Sequence, residues 1–83
     1  MYTVYILRSL KDSKRHYVGI TQDLERRLKE HNNKQSVYSS VYAPWELETF
    51  VTFKNITLAE SFERYLKTGS GNAFLRKRLI GAK

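Results

Sequence analysis

The sequence predicts a small α+β domain, in which a mostly antiparallel three-stranded sheet is flanked by three helices. Three observations carry this expectation. Two β-rich runs, separated by the polar stretch Arg8 to Arg15, make the pattern of a hairpin. A third strand-like run, Trp45 to Phe53, follows a proline. Between and after these runs, apolar residues recur at the three- and four-residue spacing of amphipathic helices. With 83 residues, one domain covering 1–83 and a small core are expected.

Tyr2 to Leu7 (YTVYIL) is β-branched or aromatic on both faces, as a central strand covered on two sides would be; it is placed at 2–8. The turn-like RSLKDSKR closes a hairpin onto a strand at 16–20. There Tyr17 and Gly19 share one face, and Val18 and Ile20 the other. Glycine weakens a strand, so Gly19 points to the close approach of another group. Thr21 is the expected N-cap of a helix at 22–32, with Asp23 in its first turn. On a wheel of roughly 100° per residue, Leu24 and Leu28 mark the apolar side, and Arg27 and His31 lie beside it one turn apart. Charge next to a buried stripe is unfavourable without a partner. Tyr17, Arg27 and His31 converging there suggest a site for an anionic substrate.

Lys34 to Ala43 has no period and reads as a loop. In the strand at 45–53, alternation places Trp45, Leu47, Val51 and Phe53 on one face and Glu46, Glu48 and Thr52 on the other, which suits a half-buried edge. Thr57-Leu58-Ala59-Glu60 matches a capping box for a helix at 57–67. That helix turns Leu58, Phe62, Tyr65 and Leu66 inward, with Glu63 at the boundary of the stripe. Gly69 is the expected left-handed cap, and Ser70 or Asn72 then caps a last helix at 72–80. Gly69-Ser70-Gly71 also has the character of a short phosphate cradle. The last helix directs Phe74, Leu75 and Leu79 inward, with Arg76, Lys77 and Arg78 outward.

Lys and Arg outnumber Asp and Glu by 15 to 8, a formal charge of +7. Such a surface attracts polyanions, nucleic acid first and an anionic membrane second. No apolar run approaches the ~20 residues that span a bilayer. No signal peptide is visible, and the absence of cysteine removes disulfides and thiolate metal sites. A cytoplasmic location is expected.

Thr3-Val4-Tyr5 and Tyr17-Val18-Gly19, two strand triplets joined by a hairpin, resemble the paired motifs of GIY-YIG nuclease domains. The helix Asp23 to His31 resembles that family's first helix, and Glu63-Arg64-Tyr65-Leu66-Lys67 resembles its glutamate helix. The resemblance runs from Tyr2 to Ile80 and is nearest to the small single-domain, UPF0213-like members. One departure is Thr3, where the family has glycine. The resemblance implies a metal-dependent endonuclease acting on DNA phosphodiesters. Glu63 would hold Mg²⁺ or Mn²⁺, and one carboxylate with retained waters suits such an ion. Arg27 would stabilise transition-state charge on the phosphate. Tyr5 or Tyr17 would take the proton of the attacking water, its pKa brought down by nearby cations. His31 would assist that tyrosine or contact the water, and Asn72 would lie close to the phosphate. Gly19, Arg76 and Lys77 would contact substrate, a branched or single-stranded DNA, with a protein partner lending specificity.

Each residue has a plainer reading. Tyr5 and Tyr17 suit a core, Arg27 a snorkelling surface position and His31 a helix end; Glu63 suits an i,i+4 pair with Lys67, and Asn72 a cap. A single arrangement that accounts for all of them favours the nuclease. The alternative is a non-catalytic nucleic-acid-binding module on the same fold, using basic residues and exposed tyrosines. A third reading, a protein-interaction domain, would work through edge pairing of the Trp45–Phe53 strand.

Overall fold

The computed structural model describes residues 1–33 and 41–80. It has the expected α+β architecture: a three-stranded antiparallel sheet with helices on both faces. The strands are β1 (Tyr2–Ser9), β2 (His16–Thr21) and β3 (Trp45–Phe53), and the sheet order is β2-β1-β3. The helices are α1 (Leu24–Asn32), α2 (Ile56–Leu66) and α3 (Gly69–Phe74); α3 runs on into one wide π-helical turn, Leu75–Leu79. Of the expected loop from Lys34 to Ala43, residues 34–40 lie outside the described residues.

β1 is central, and Val4, Tyr5, Ile6 and Leu7 are all buried. Side chains of successive strand residues point to opposite faces, so the sheet has two cores. Val4 and Ile6 pack with Val18, Ile20 and Phe53 under Ala59, Phe62, Leu66 and Leu75 of α2 and the last helical segment. Tyr5 and Leu7 pack on the other face with Tyr17, Trp45 and Leu47 against Leu24 and Leu28 of α1. β3 is an edge, as expected, but its four apolar residues do not share a face. Its register against β1 shifts between Ile6 and Leu7, where Thr49 pairs with Ile6 and Leu47 with Leu7. Glu48 is the extra residue of this bulge, and an extra residue reverses the alternation. Trp45 and Leu47 therefore face α1, whereas Phe53 faces α2.

The caps also differ from expectation, in each case through a competing short polar side chain. Asp23, not Thr21, caps α1 by accepting from the Arg26 N–H at 3.1 Å, and Thr21 instead accepts the Asp23 N–H at 3.0 Å. Asn55, not Thr57, caps α2, accepting the N–H groups of Thr57 and Leu58 at 2.7 and 3.2 Å. Thr68, rather than Ser70 or Asn72, caps α3 by accepting the Gly71 N–H at 3.1 Å. The Gly71 amide is thus occupied, which removes it from any phosphate cradle. Gly69 opens a helix and does not adopt a left-handed backbone; no described glycine has positive φ.

Two side-chain contacts that the sequence did not signal hold the frame. Ser9 is buried, donates its hydroxyl to the Tyr42 carbonyl and accepts from the Lys11 and Asp12 amides, which fixes the start of the hairpin loop. Asn32 accepts from the Trp45 N–H and donates to the Trp45 carbonyl at 3.0 Å. That double bond ties the end of α1, where His31 sits, to the start of β3.

Candidate active site

Register brings the first four site residues together. Antiparallel pairing sets Tyr5 opposite Gly19 and Leu7 opposite Tyr17. Tyr5, Tyr17 and Gly19 therefore share the sheet face covered by α1, and one turn of α1 places Arg27 and His31 over them. The Tyr5 hydroxyl and His31 Nε2 are 3.1 Å apart, and both residues are buried. The Tyr17 ring meets the His31 ring edge-on, with centroids 4.5 Å apart and planes at 82°. The Tyr5 and Tyr17 rings are 6.2 Å apart. The Arg27 guanidinium lies near enough to the Tyr5 hydroxyl for its charge to act on it, and its Nη1 lies 2.8 Å from Glu30 Oε1.

Gly19 has the role its weak strand propensity suggested. A Cβ there would fall 2.4 Å from the Tyr5 hydroxyl oxygen and 2.5 Å from Tyr5 Cζ. The strand is glycine at this point because the end of Tyr5 lies against it. Thr3, the departure from the family triplet, hydrogen-bonds Thr52 across the sheet at 3.0 Å.

The electrostatics of this cluster are set by its burial. Burial pushes the Tyr5 phenol up to about 12, with Tyr17 and Glu30 acting in the same direction, and outweighs the lowering by Arg27. Burial thus favours the neutral phenol of Tyr5, which suits a hydrogen-bond donor. His31 is also held below its ordinary 6.5, by burial and then by the Arg27 guanidinium. A neutral imidazole accepts the Tyr5 O–H at Nε2 when its proton is on Nδ1. It adds no positive charge to help ionise a tyrosine.

His16 is likewise held below 6.5, by burial and by the Arg76 and Arg8 charges, against an opposing effect of Glu48. Both folded imidazoles resist protonation, so the unfolded chain binds more protons at mildly acid pH. Stability is full above pH 6.5 and falls as pH drops from 6.5 through the lowered folded values. The thermal midpoint is expected to fall between pH 7.5 and 5.5, and less steeply in His31→Gln. Equal slopes in the two proteins would refute the assignment.

The remaining site residues come from the other sheet face. Glu63 is on α2 with its side chain 16% exposed, and its carboxylate is ion-paired to the Lys67 ammonium one turn on. Asn72 is on α3, where its Oδ1 accepts from Arg76 Nε at 3.0 Å. The structure does not gather Glu63 and Asn72 onto the face of Tyr5 and His31. It brings the two sets to opposite sides of β2, which is an edge strand. An open groove of about 420 Å³ lies there, lined among others by His16, Tyr17, Val18, Lys67, Asn72 and Leu75. Tyr17 and Asn72 both contribute to its walls, and Lys67, also in its lining, is ion-paired to Glu63. Arg76 joins this neighbourhood through Asn72; Lys77 is exposed on the wide turn beyond. Sequence reasoning saw Lys67 only as a helix neighbour of Glu63, and the i,i+4 spacing was its sole signal. His16 had none.

Among the described residues no three His, Asp or Glu side chains gather as a metal cluster. The available donor set is the Glu63 carboxylate, which fits an ion that keeps most of its waters. No helix among the described residues is long and apolar enough to cross a membrane.

The GIY-YIG catalytic domain model matches residues 1–77. The structure-specific endonuclease subunit SLX1 of Debaryomyces hansenii is 34% identical over 73 residues, covering 80% of this chain and 21% of that protein. The chain thus spans about a fifth of the SLX1 sequence. A UPF0213 protein of Clostridium perfringens is 38% identical over 81 residues, covering 96% of this chain and 83% of its own length. The paired triplets on one hairpin, the arginine and histidine of α1 and a domain match over nearly the whole chain agree: the chain belongs to the GIY-YIG nuclease family.

Proposed function

We propose that this chain is a divalent-metal-dependent endonuclease that hydrolyses DNA phosphodiester bonds and selects branched or single-stranded DNA by shape. The observation that carries the reading is the convergence of Tyr5, Tyr17, Arg27 and His31 beside a groove that Lys67 and Asn72 line from the opposite side. Glu63 would hold Mg²⁺ or Mn²⁺, which when bound supplies charge stabilisation at the phosphate oxygens.

The chain's own residues have separable tasks. Arg27 exchanges its Glu30 contact for a phosphate oxygen and stabilises the charge that builds up in the transition state. Tyr17, which contributes to the groove wall, takes the proton of the attacking water. Tyr5 is 1% exposed and neutral; it donates to His31, and the His31 ring braces Tyr17 edge-on. Asn72 and Arg76 contact the strand along the groove, with Lys77 as an outer phosphate contact. An 83-residue domain has few elements to read a long sequence in the major groove, which favours recognition of shape. The SLX1 relative is described as structure-specific and as a subunit, which supports both that preference and a protein partner. A cytoplasmic location suits a cysteine-free chain acting on DNA.

The Glu63–Lys67 pair is the observation that favours the second reading, a binding module without catalysis. Labelled single-stranded, duplex and branched DNAs, incubated with Mg²⁺ or Mn²⁺ against EDTA, separate the two. Metal-dependent cutting that Glu63→Ala removes is the expected result. Salt-sensitive binding without cutting, unchanged in Glu63→Ala, would establish the binding module.

A further inference from the structure

We propose that Lys67 is a second working cation of this site: it neutralises the Glu63 carboxylate until a divalent cation replaces it, and then binds a phosphate oxygen of the strand in the groove. This rests on the nuclease reading above and assigns Lys67 a place in it.

Three features of Lys67 lead there. Its ammonium contacts Glu63 Oε2, the carboxylate oxygen that an inner-sphere cation would also need. Its side chain is 55% exposed whereas that of Glu63 is 16% exposed, so the carboxylate is the fixed partner and the lysine the movable one. It also lines the groove that Tyr17 and Asn72 line. With the lysine end more than half exposed, the i,i+4 pair leaves the ammonium open to displacement by a divalent cation. The two cations repel each other once the ion is seated, which turns Lys67 away from Glu63. Its backbone stays tethered as the C-cap of α2. A flexible stem carrying three rotatable N–H donors then has the groove as its nearest anionic destination when a strand is bound. The same side chain thus keeps Glu63 from being an unpaired charge beside phosphate before the metal arrives, and supplies a phosphate contact afterwards.

The two halves predict opposite signs in one variant, which a merely structural ion pair would not produce. Mn²⁺ binding is followed without nucleic acid by the spectroscopic signal of the free ion. Binding of a fluorescent single-stranded oligonucleotide is followed by anisotropy in EDTA and again with Ca²⁺. Lys67→Met is expected to tighten Mn²⁺ binding by at least about threefold, the scale of one unit charge removed near a divalent ion in solvent-exposed surroundings. It is expected to weaken oligonucleotide binding with Ca²⁺ by at least about threefold and to lower the salt slope by about one ion. Lys67→Gln should match it on both counts. Lys67 is exposed, and melting curves verify that both variants fold. Unchanged or weaker Mn²⁺ binding in Lys67→Met, or unchanged oligonucleotide binding, overturns the proposal. Glu63→Gln distinguishes its failure from that of the underlying reading. If Glu63→Gln abolishes Mn²⁺ binding and Lys67→Met changes nothing, the role of Lys67 alone fails; if Glu63→Gln leaves Mn²⁺ binding intact, the metal assignment falls and this proposal with it.

Discussion

Gly71→Ala is expected to destabilise the domain by about 3 kcal/mol or more, as backbone overpacking does. A Cβ at Gly71 would lie 1.6 Å from the Tyr65 carbonyl oxygen, 2.4 Å from its carbon and 2.9 Å from Leu66 Cα. All three are backbone atoms of α2, so no rotamer change relieves the overlap. The same carbonyl accepts the Thr68 hydroxyl at 2.7 Å, and Thr68 in turn caps the Gly71 N–H at 3.1 Å. To admit a methyl group, α3 must lift away from α2, breaking the cap and withdrawing Leu75 from the core under Val4 and Ile6. The measurement is the thermal midpoint, with a drop of at least about 10 °C expected for a domain of this size. Gly69→Ala is the control, because a Cβ there would meet nothing within 4 Å. Comparable midpoints for the two variants would show that α3 does not pack as described. The loss also reaches the site, since Asn72 follows Gly71 and lines the groove.

Gly71 also illustrates where the sequence was legible and where it was not. Local patterns that depend on period alone could be read directly. The two-faced apolar run of β1, the shared face of Tyr17 and Gly19 in β2, and the placing of Arg27 and His31 on one side of α1 all follow from periods of 2 and 3.6. Gly19 could be read as a close approach because a strand glycine needs a reason. Features that depend on tertiary contact could not. The bulge at Glu48 moves Trp45 and Leu47 to the opposite face from Phe53, and simple alternation contains no trace of it. Gly69-Ser70-Gly71 suggested a turn and a cradle, yet Gly71 is required by the closeness of another helix's backbone. The ionisation of Tyr5 is another such feature, because neighbouring cations can be counted in a sequence and burial cannot. Burial, which only the fold reveals, outweighs them and raises the phenol to about 12. Likewise the placing of Glu63 across β2 from His31 depends on which face α2 covers, and the helix's own amphipathic pattern is silent on that.

Arg27→Ala is expected to reduce DNA cleavage by on the order of 10²–10³-fold, the usual loss for one donor that stabilises transition-state charge. The fold should survive, because the Arg27–Glu30 pair is partly exposed and such pairs contribute at most about 1 kcal/mol. Two geometric facts separate Arg27 from the other cations of this basic surface. Its guanidinium lies near enough to the Tyr5 hydroxyl and the His31 ring to act on the ionisation of both, which sets it beside the Tyr–His–Tyr cluster, and Glu30 holds its Nη1 at 2.8 Å. Arg27→Lys keeps the charge but loses the planar fork, so it should recover only a minor part of the activity. If Arg27 served merely as one more phosphate contact, Arg27→Ala would weaken binding and lower the salt slope by about one ion, with turnover of bound substrate preserved. Single-turnover cleavage at saturating enzyme makes the distinction. A rate that falls with binding left largely intact places Arg27 at the reacting phosphate. A preserved rate would move it to the binding surface and leave Tyr5 and His31 as a buried polar pair without a catalytic neighbour.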